Sequence, residues 1–309
     1  LSDRTLGTMA PLPGQESGLE YRVARDTDQD LYLELLKQCL SRSIFGERFK
    51  PLLKPRSAAR WKWLWWQVVY PTIESVLSRV DLELVRKAHF DRQACRNGFY
   101  YHSEAESMIG ITGLNNVQNC VTDCLRRGVP GDLLEAGVWR GGTTILMRAV
   151  LRAHGDADRK VWVVDSFEGC PKPRFPSERT DHHWFNNFLC VPFEQVRANF
   201  ERYGLLDDRV VFLPGWFAES LPNAPIHKLA VLRVDADMYS STLDVLNALY
   251  GKVSKDGYVI IDDYFTIEAC RRAVDEFRGA RNITTKIHNV DDCRAFWQVE
   301  DESPLGDLL

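Results

Sequence analysis

The sequence predicts an α/β protein with a mostly parallel central sheet and helices on both faces. From residue 129 to residue 300, short runs rich in Val, Ile and Leu alternate with amphipathic helical stretches. This alternation is the pattern of parallel strands joined by helical crossovers. Acidic residues and glycines follow several of the apolar runs. We therefore expect a ligand site at the carboxyl edge of the sheet, where open α/β folds bind ligands.

The chain before residue 129 is predicted to form an arm and a helical extension. Residues 1–28 are polar and rich in Gly, Pro, Asp and Arg, which favours a flexible N-terminal arm. Residues 29–128 are predicted to be mostly helical, and to serve as a lid or as a dimer contact. Apolar residues recur at helical spacing in its first helix. They are Leu31, Leu35, Leu36 and Leu40.

A tryptophan cluster at 61–66 lies beside basic residues in this extension. It could form a membrane surface, an RNA-stacking patch, a buried helix or a subunit contact. The net charge of −4 disfavours nucleic acid, and no run of 18 apolar residues predicts a membrane span. The polar start lacks a secretion signal, so we expect a cytoplasmic protein whose eight cysteines are reduced. It also lacks an initiator Met, as would a segment of a larger multidomain synthase.

The remaining residues, 129–309, are predicted to form the main domain. Apolar runs such as 161–164 and 259–261 fit strands that are buried on both faces. A late pair, 283–289 and 294–299, is compatible with additional edge strands. The predicted strands are 132–137, 161–165, 210–215, 229–235 and 257–263, and the predicted helices are 142–154, 193–203, 240–251 and 266–278.

The first predicted strand ends in the motif Glu-Ala-Gly-Val-Trp-Arg-Gly-Gly at residues 135–142. Glycines at a strand-to-helix turn allow a ligand to approach the backbone closely. The spacing is not that of the dinucleotide fingerprint G-x-G-x-x-G. Glu135, just before Gly137, suits a cationic or ammonium-bearing ligand, and S-adenosylmethionine has both a sulfonium and an ammonium group. The alternative is a glycine-rich turn without a ligand.

The next two strand ends also carry candidate binding residues. Asp165 and Ser166 follow the second strand, where an acid can accept hydrogen bonds from ribose hydroxyls. Asp165 could instead cap a helix. Gly215 and Trp216 follow the third strand and, with Phe217, could form the wall of an adenine site. Packing in the core is the alternative for the two aromatic residues.

Four carboxylates at the ends of the last two parallel strands are the most informative feature of the chain. They are Asp235 and Asp237 after one strand, and Asp262 and Asp263 after the next. Two like charges at about 4 Å repel by roughly 4 kcal/mol at an effective dielectric of 20, so the cluster requires a cation, a proton or a counter-charge. Oxygen-only ligands favour Mg²⁺. Alternating strand geometry would place Asp235 and Asp237 on one face, with Arg233 as a structural counter-ion.

A long insertion, residues 170–193, separates the second and third strands. A segment of this length is usually functional or disordered, and its position at the binding edge predicts a substrate lid. His182 and His183 lie within it and could titrate near neutral pH, or could simply be surface residues.

These motifs resemble the macrocin O-methyltransferase family, whose members methylate hydroxyls of natural products, chiefly deoxysugars on macrolides and related antibiotics. The resemblance covers 105–300 closely and 29–46 loosely, whereas residues 50–104 do not match. It implies a Rossmann-like class I methyltransferase that uses S-adenosylmethionine and Mg²⁺, with Mn²⁺ or Ca²⁺ as substitutes, and that forms a homodimer. The matching segments are 107–120, 129–151, 161–171, 199–222, 229–250 and 257–278.

The resemblance also implies a role for each matching residue. Asp237, the second acid of D-x-D, would be the general base. The other three acids of the cluster would bind the metal, namely Asp235, Asp262 and Asp263. The cofactor would be held by Met108, Ile109, Glu135, Gly137, Asp165, Ser166, Gly215 and Trp216.

The sequence therefore predicts O-methyl transfer from S-adenosylmethionine to a hydroxyl of a small natural product, most simply a sugar. In this hypothesis Mg²⁺ orients the acceptor hydroxyl and Asp237 accepts its proton. A metal-dependent phenol or catechol methyltransferase is the first alternative. A nicotinamide oxidoreductase is disfavoured by the missing fingerprint, and a non-catalytic interaction module would have no need for a repulsive acidic cluster.

Overall fold

A computed structural model describes residues 27–52, 65–100, 102–175, 178 and 187–300. The expectations for the first 26 residues, for Trp61 and Trp63, and for His182 and His183 lie outside the described residues. None of the described helices is long and apolar enough to span a membrane.

The N-terminal part of the chain combines helices with a small hairpin-like pair of strands. Strands β1 and β2 are antiparallel and separate from the main sheet. A short π-helical turn, Trp65–Val69, leads into the second helix. The region is thus less uniformly helical than predicted. Its elements are α1 (Asp28–Leu40), β1 (Phe49–Pro51), α2 (Tyr70–Leu77), β2 (Val85–Lys87), α3 (Arg92–Arg96) and α4 (Gly110–Arg127).

The main domain is a seven-stranded sheet in the order β5-β4-β3-β6-β7-β9-β8. Strands β3 to β7 are parallel, and β9 and β8 extend one edge in antiparallel fashion. This order reverses direction beside β3, which places a topological switch point between β3 and β6. The strands are β3 (Asp132–Ala136), β4 (Val161–Asp165), β5 (Val210–Pro214), β6 (Leu229–Val234), β7 (Val253–Ile261), β8 (His288–Asn289) and β9 (Ala295–Gln298).

Helices cover both faces of the sheet, as predicted. Successive residues of a strand point to opposite faces, and Leu133 and Leu134 accordingly belong to two separate hydrophobic clusters. The first cluster lies under α1, α4 and α5, and the second lies under α8 and α9. The main-domain helices are α5 (Gly142–Ala153), α6 (Phe193–Arg202), α7 (Phe217–Ser220), α8 (Tyr239–Leu249) and α9 (Glu268–Ala280).

The predicted first helix is present as α1, and only two of its four predicted apolar residues, Leu36 and Leu40, are buried. Leu33, Leu36 and Leu40 are buried at spacings of three and four residues. Leu31 and Leu35, which also fit the helical spacing, are more than half exposed. The buried leucines share a hydrophobic cluster with the sheet, so α1 completes the core of the main domain.

Strand β7 also differs from its prediction, because it begins at Val253 instead of residue 257. Its early part is polar, and the pairing of β6 with β7 shifts register between Leu229 and Val231. Asp256 adopts a positive φ of 66° at this irregularity. Because the start of β7 is polar and irregular, a prediction based on apolar runs did not include it.

Glu106 ties the N-terminal extension to the main domain. Its buried carboxylate accepts hydrogen bonds from Arg42 Nη2 at 3.2 Å, Arg202 Nη1 at 3.1 Å and Tyr203 Oη at 2.9 Å. Its backbone oxygen also accepts a hydrogen bond from Gly142 N, at the start of α5. A buried charge requires such partners, so the segment before α4 is fixed against the binding edge of the sheet.

Candidate active site

A cavity of about 560 Å³ opens at the carboxyl ends of the parallel strands. Most residues that the sequence singled out line it, while Ile109 and Glu135 do not. Ile109 is buried in the hydrophobic core and contacts Gly113, and its contact with the cofactor stays a prediction. Glu135 lies in β3, beneath the cavity floor. The predicted residues on the wall are Met108, Gly137, Asp165, Ser166, Gly215, Trp216, Asp235, Asp237, Asp262 and Asp263.

Gly137 brings the two central strand ends into backbone contact. Its φ is +87°, a conformation that favours glycine. A Cβ atom at this position would lie 1.8 Å from the backbone oxygen of Asp235. The glycine is therefore required for the close approach of the β3 and β6 ends, in addition to any approach of a ligand.

Asp165 anchors the loops around it. Its Oδ2 accepts a hydrogen bond from Val138 N, and its Oδ1 accepts one from Phe167 N, both at 2.8 Å. Burial raises the pKa of Asp165, although these backbone donors oppose the shift. The carboxylate thus organises the cavity wall by holding two loops, whereas the sequence had offered helix capping as the alternative to ribose binding.

Arg233 is the centre of the buried ion network. Because Glu135 and Arg233 are partners in the β3–β6 register, their side chains are neighbours across the two strands. Arg233 Nη1 donates to Glu135 Oε1 and, at 3.0 Å, to Asp235 Oδ2. Its Nη2 donates to Asp262 Oδ1. The predicted role of Arg233 as a counter-ion is confirmed, and it serves three carboxylates.

Asp262 differs from its neighbours because a second guanidinium group also contacts it. Arg294 Nε donates to Asp262 Oδ1 at 2.7 Å, and Arg294 itself pairs with Asp291 at 2.6 Å. Burial would raise the pKa of Asp262, but Arg233 and Arg294 outweigh burial and hold the pKa below its ordinary value. Arg294 was not singled out in the sequence, since it precedes β9, whose pairing with β7 is a long-range contact.

Three other carboxylates form the candidate metal site. One oxygen each of Asp235, Asp237 and Asp263 lies within 4.8 Å of the others. This group contains Asp237, which we predicted as the base, and leaves out Asp262, which we predicted as a ligand. Asp262 nevertheless lines the same cavity.

Asp237 reaches this group by a turn and not by strand alternation. Strand β6 ends at Val234, and Asp237 has a left-handed φ of +53°. Such a conformation costs a non-glycine residue of order 1–3 kcal/mol and is concentrated at functional sites. The thiol of Cys170 lies 3.5 Å from Asp237 Oδ2 and donates to it. Our expectation that Asp235 and Asp237 meet as alternate residues of a strand was therefore wrong in its geometry.

The electrostatics of the cluster favour a bound cation. Burial and the nearby Asp235 raise the pKa of Asp237 to about 7. Burial and Asp262 raise the pKa of Asp235 well above its ordinary value, and burial and Asp262 do the same for Asp263. When ionisation of a carboxylate is disfavoured in this way, a cation that binds beside it stabilises its charged form. Oxygen donors alone are the ligand set of a hard divalent ion.

The insertion between β4 and β5 supplies part of the cavity wall. Arg174 forms an ion pair with Asp244 of α8, and the carboxylate of Glu178 accepts a hydrogen bond from Ser240 N at 2.7 Å. Trp139 donates from Nε1 to the backbone oxygen of Phe188 at 3.1 Å. These contacts join residues that are far apart in the sequence, and no local motif could have identified them.

Comparisons with known proteins agree with this architecture. A family model described as macrocin-O-methyltransferase matches residues 29–299. A tetracenomycin rhamnosyl 4'-O-methyltransferase of Streptomyces olivaceus is 55% identical over 200 residues, which are 63% of this chain and 76% of that protein. Mycinamicin III 3''-O-methyltransferase of Micromonospora griseorubida is 46% identical over 221 residues, which are 70% of this chain and 87% of that protein.

Solved structures give the same result. The O-methyltransferase NovP has a TM-score of 0.72 and 40% identity, and the match covers 89% of this chain and 100% of that one. The calicheamicin methyltransferase CalS11, at 17% identity and a TM-score of 0.52, shares the fold and covers 81% of this chain and all of its own. The predicted Rossmann-like fold and the predicted class of S-adenosylmethionine-dependent O-methyltransferase are confirmed. The chain belongs to the macrocin-O-methyltransferase family.

Proposed function

We propose that the protein transfers a methyl group from S-adenosylmethionine to a sugar hydroxyl of a natural product, with the help of Mg²⁺. Two relatives support this acceptor class, since one enzyme acts on a rhamnosyl-bearing tetracenomycin and another on mycinamicin III, and the rhamnosyl group of the first supports a sugar. The observation that carries the proposal is the group Asp235, Asp237 and Asp263, which shares one cavity with the cofactor residues.

The cation would be held by oxygens of the acidic group. Asp235 and Asp263 are the first choices as ligands, because Asp262 is already paired with two guanidinium groups. Asp262 would then stabilise Arg233 beneath the site. When bound, Mg²⁺ would supply a positive charge that polarises the acceptor hydroxyl and stabilises its developing negative charge. Mn²⁺ or Ca²⁺ offers the same preference for oxygen.

Asp237 would act as the general base. A pKa of about 7 lies close to the operating pH, where a carboxylate is an effective proton acceptor. Its Oδ2 already accepts from the Cys170 thiol, so the carboxylate has a defined orientation toward the cavity. No covalent enzyme intermediate is required, and the protein contributes mainly by aligning the two substrates.

The cofactor would lie along the ends of β3, β4 and β5. The buried Oε2 of Glu135 has no hydrogen-bond partner among the described residues, which suits a ligand ammonium group. Met108 lies on the cavity wall near the start of α4. Gly215, with a φ of +127°, and Trp216 line the far part of the cavity. Their position supports contact with the adenine ring.

The proposal is tested by methyl transfer to defined acceptors. The protein is incubated with S-adenosylmethionine, Mg²⁺ and a panel of glycosylated and phenolic metabolites, and mass spectrometry detects the gain of one methylene. Methylation of a sugar hydroxyl that is lost in chelator supports the proposal. Methylation of phenols alone would show that the acceptor is a phenol and not a sugar. Full turnover in chelator would refute the role of the cation.

We also propose a homodimer, which rests on the family resemblance. Light scattering coupled to gel filtration tests it directly. A monomeric mass at micromolar concentration would refute it.

A further inference from the structure

One buried nitrogen atom serves both halves of the site. Arg233 is 1% exposed, and its Nη1 contacts Glu135 of β3 and Asp235 after β6. Glu135, whose Oε2 has no partner among the described residues, is the proposed contact of the cofactor ammonium group, whereas Asp235 belongs to the candidate cation site. The β3–β6 register and the close contact at Gly137 fix the distance between them. Neither carboxylate can therefore change its charge or position without affecting the other.

We propose that Arg233 links the two binding equilibria, so that cation binding raises the affinity for cofactor and cofactor binding raises the affinity for cation. This inference rests on the proposed function. A cation at Asp235 neutralises that carboxylate. Arg233 Nη1 then interacts mainly with Glu135. Glu135 is then held more firmly in the orientation that receives the cofactor. Thermodynamic reciprocity requires the same factor in both directions.

Direct repulsion between a cation and a sulfonium group would oppose this linkage. S-adenosylhomocysteine lacks the sulfonium charge, and it is therefore the appropriate probe. With this probe, the change in affinity reports the shared guanidinium and not the charge of the reacting centre.

Arg294 provides a matched control. It is also a buried arginine and also contacts Asp262. Its other carboxylate partner is Asp291, and among the described residues its side chain makes no hydrogen bond to Glu135 or Asp235. A variant of Arg294 therefore perturbs the same ion network without removing the shared nitrogen.

The experiment is calorimetric titration of S-adenosylhomocysteine into the full chain, in chelator and in saturating Mg²⁺. We expect Mg²⁺ to increase the affinity about fivefold, at the low end of usual coupling factors. In Arg233→Lys the ratio of the affinity in Mg²⁺ to the affinity in chelator should fall below twofold. The reason is that one ammonium group cannot contact three carboxylates in the same geometry. In Arg294→Lys the ratio should remain near the wild-type value.

Separate titration of Mg²⁺ distinguishes the possible failures. If Mg²⁺ does not bind, the proposed cation site is wrong. If both ligands bind the wild type but the ratio is one or below, the linkage is overturned while the proposed function stands. A ratio preserved in Arg233→Lys would also overturn it. If that variant does not fold, Glu135→Gln provides the second test, since an unchanged ratio after loss of the Glu135 charge would equally refute the linkage.

Discussion

The strand ends on the two sides of Gly137 use the same residue type in opposite ways. After β4, both oxygens of Asp165 accept backbone N–H groups and thereby hold two loops. After β6 and β7, oxygens of Asp235, Asp237 and Asp263 face one another. A carboxylate surrounded by donors stabilises the fold, whereas carboxylates gathered together store repulsion that a ligand can relieve. The arrangement of neighbours, and not the residue type, separates anchor from ligand.

The largest effect should come from Asp237→Asn. Loss of the proton acceptor should lower the rate of methyl transfer by about 10²- to 10⁴-fold, the usual contribution of a general base. Asparagine tolerates the left-handed conformation at this position, so the fold should be retained. Initial rates at saturating substrates measure the loss of activity, and a thermal melt shows whether the fold is retained. The control is Asp208→Asn, at a side chain that is 85% exposed. A near-normal rate in Asp237→Asn would refute the role of Asp237 as general base.

The comparison itself is tested by two matched substitutions with opposite expected signs. Asp165→Asn replaces one acceptor oxygen by an amide donor that faces a backbone N–H, and should destabilise the protein by about 1–3 kcal/mol. Asp263→Asn removes repulsion and should stabilise the cation-free protein by about 1 kcal/mol, which is less than bare Coulomb repulsion because protonation already relieves part of it. Urea unfolding in chelator measures both free energies. If the two substitutions changed the free energy of unfolding in the same direction, the two regions would not differ in this way.

The dependence of stability on pH sharpens the same distinction. The pKa of Asp237 is raised to about 7 in the folded protein, so the folded state retains a proton that the unfolded state has released. Its contribution to stability is therefore present at low pH and is lost as the pH rises toward 7 and above. In chelator, wild type should lose about 2 kcal/mol relative to Asp237→Asn between pH 5 and pH 7. Urea titrations at the two pH values provide the test, and a constant difference would contradict it.

The smallest expected effect concerns Cys170. Its thiol donates to Asp237 Oδ2 at 3.5 Å, which is a weak hydrogen bond. Cys170→Ala should lower kcat about two- to fivefold with little change in KM for the cofactor, because a bond of this kind contributes under about 1 kcal/mol. Cys170→Ser, which keeps a donor, should restore most of the rate. If serine and alanine behave alike, the thiol has no part in orienting the base.

The sequence predicted the main sheet because its strands are continuous apolar runs. Strand β4, for example, begins where its run of apolar residues begins, at Val161. The polar start of β7 was missed for the same reason, since Lys255 and Asp256 interrupt the pattern. The sequence also did not define the buried face of α1, because the exposed Leu31 and Leu35 fit a helical period as well as the leucines that pack.

The candidate site could be predicted as a set of residues but not as a geometry. The acids and glycines follow strand ends, so their meeting at one edge follows from parallel topology. The left-handed turn at Asp237 and the second guanidinium group at Asp262 depend on contacts between distant segments. The same holds for the ion pair of Arg174 with Asp244. These long-range pairs divide the carboxylates into counter-ions and candidate ligands, and no local pattern records them.

Gly137 has a consequence for the redesign of this enzyme. Its neighbour is the backbone oxygen of Asp235, so the spacing between the ends of β3 and β6 is set by a contact of main chain with main chain. Exchange of the insertion among relatives can reshape the wall that receives a new acceptor. Because side-chain substitutions leave this backbone contact unchanged, they would not lengthen the distance between these two strand ends.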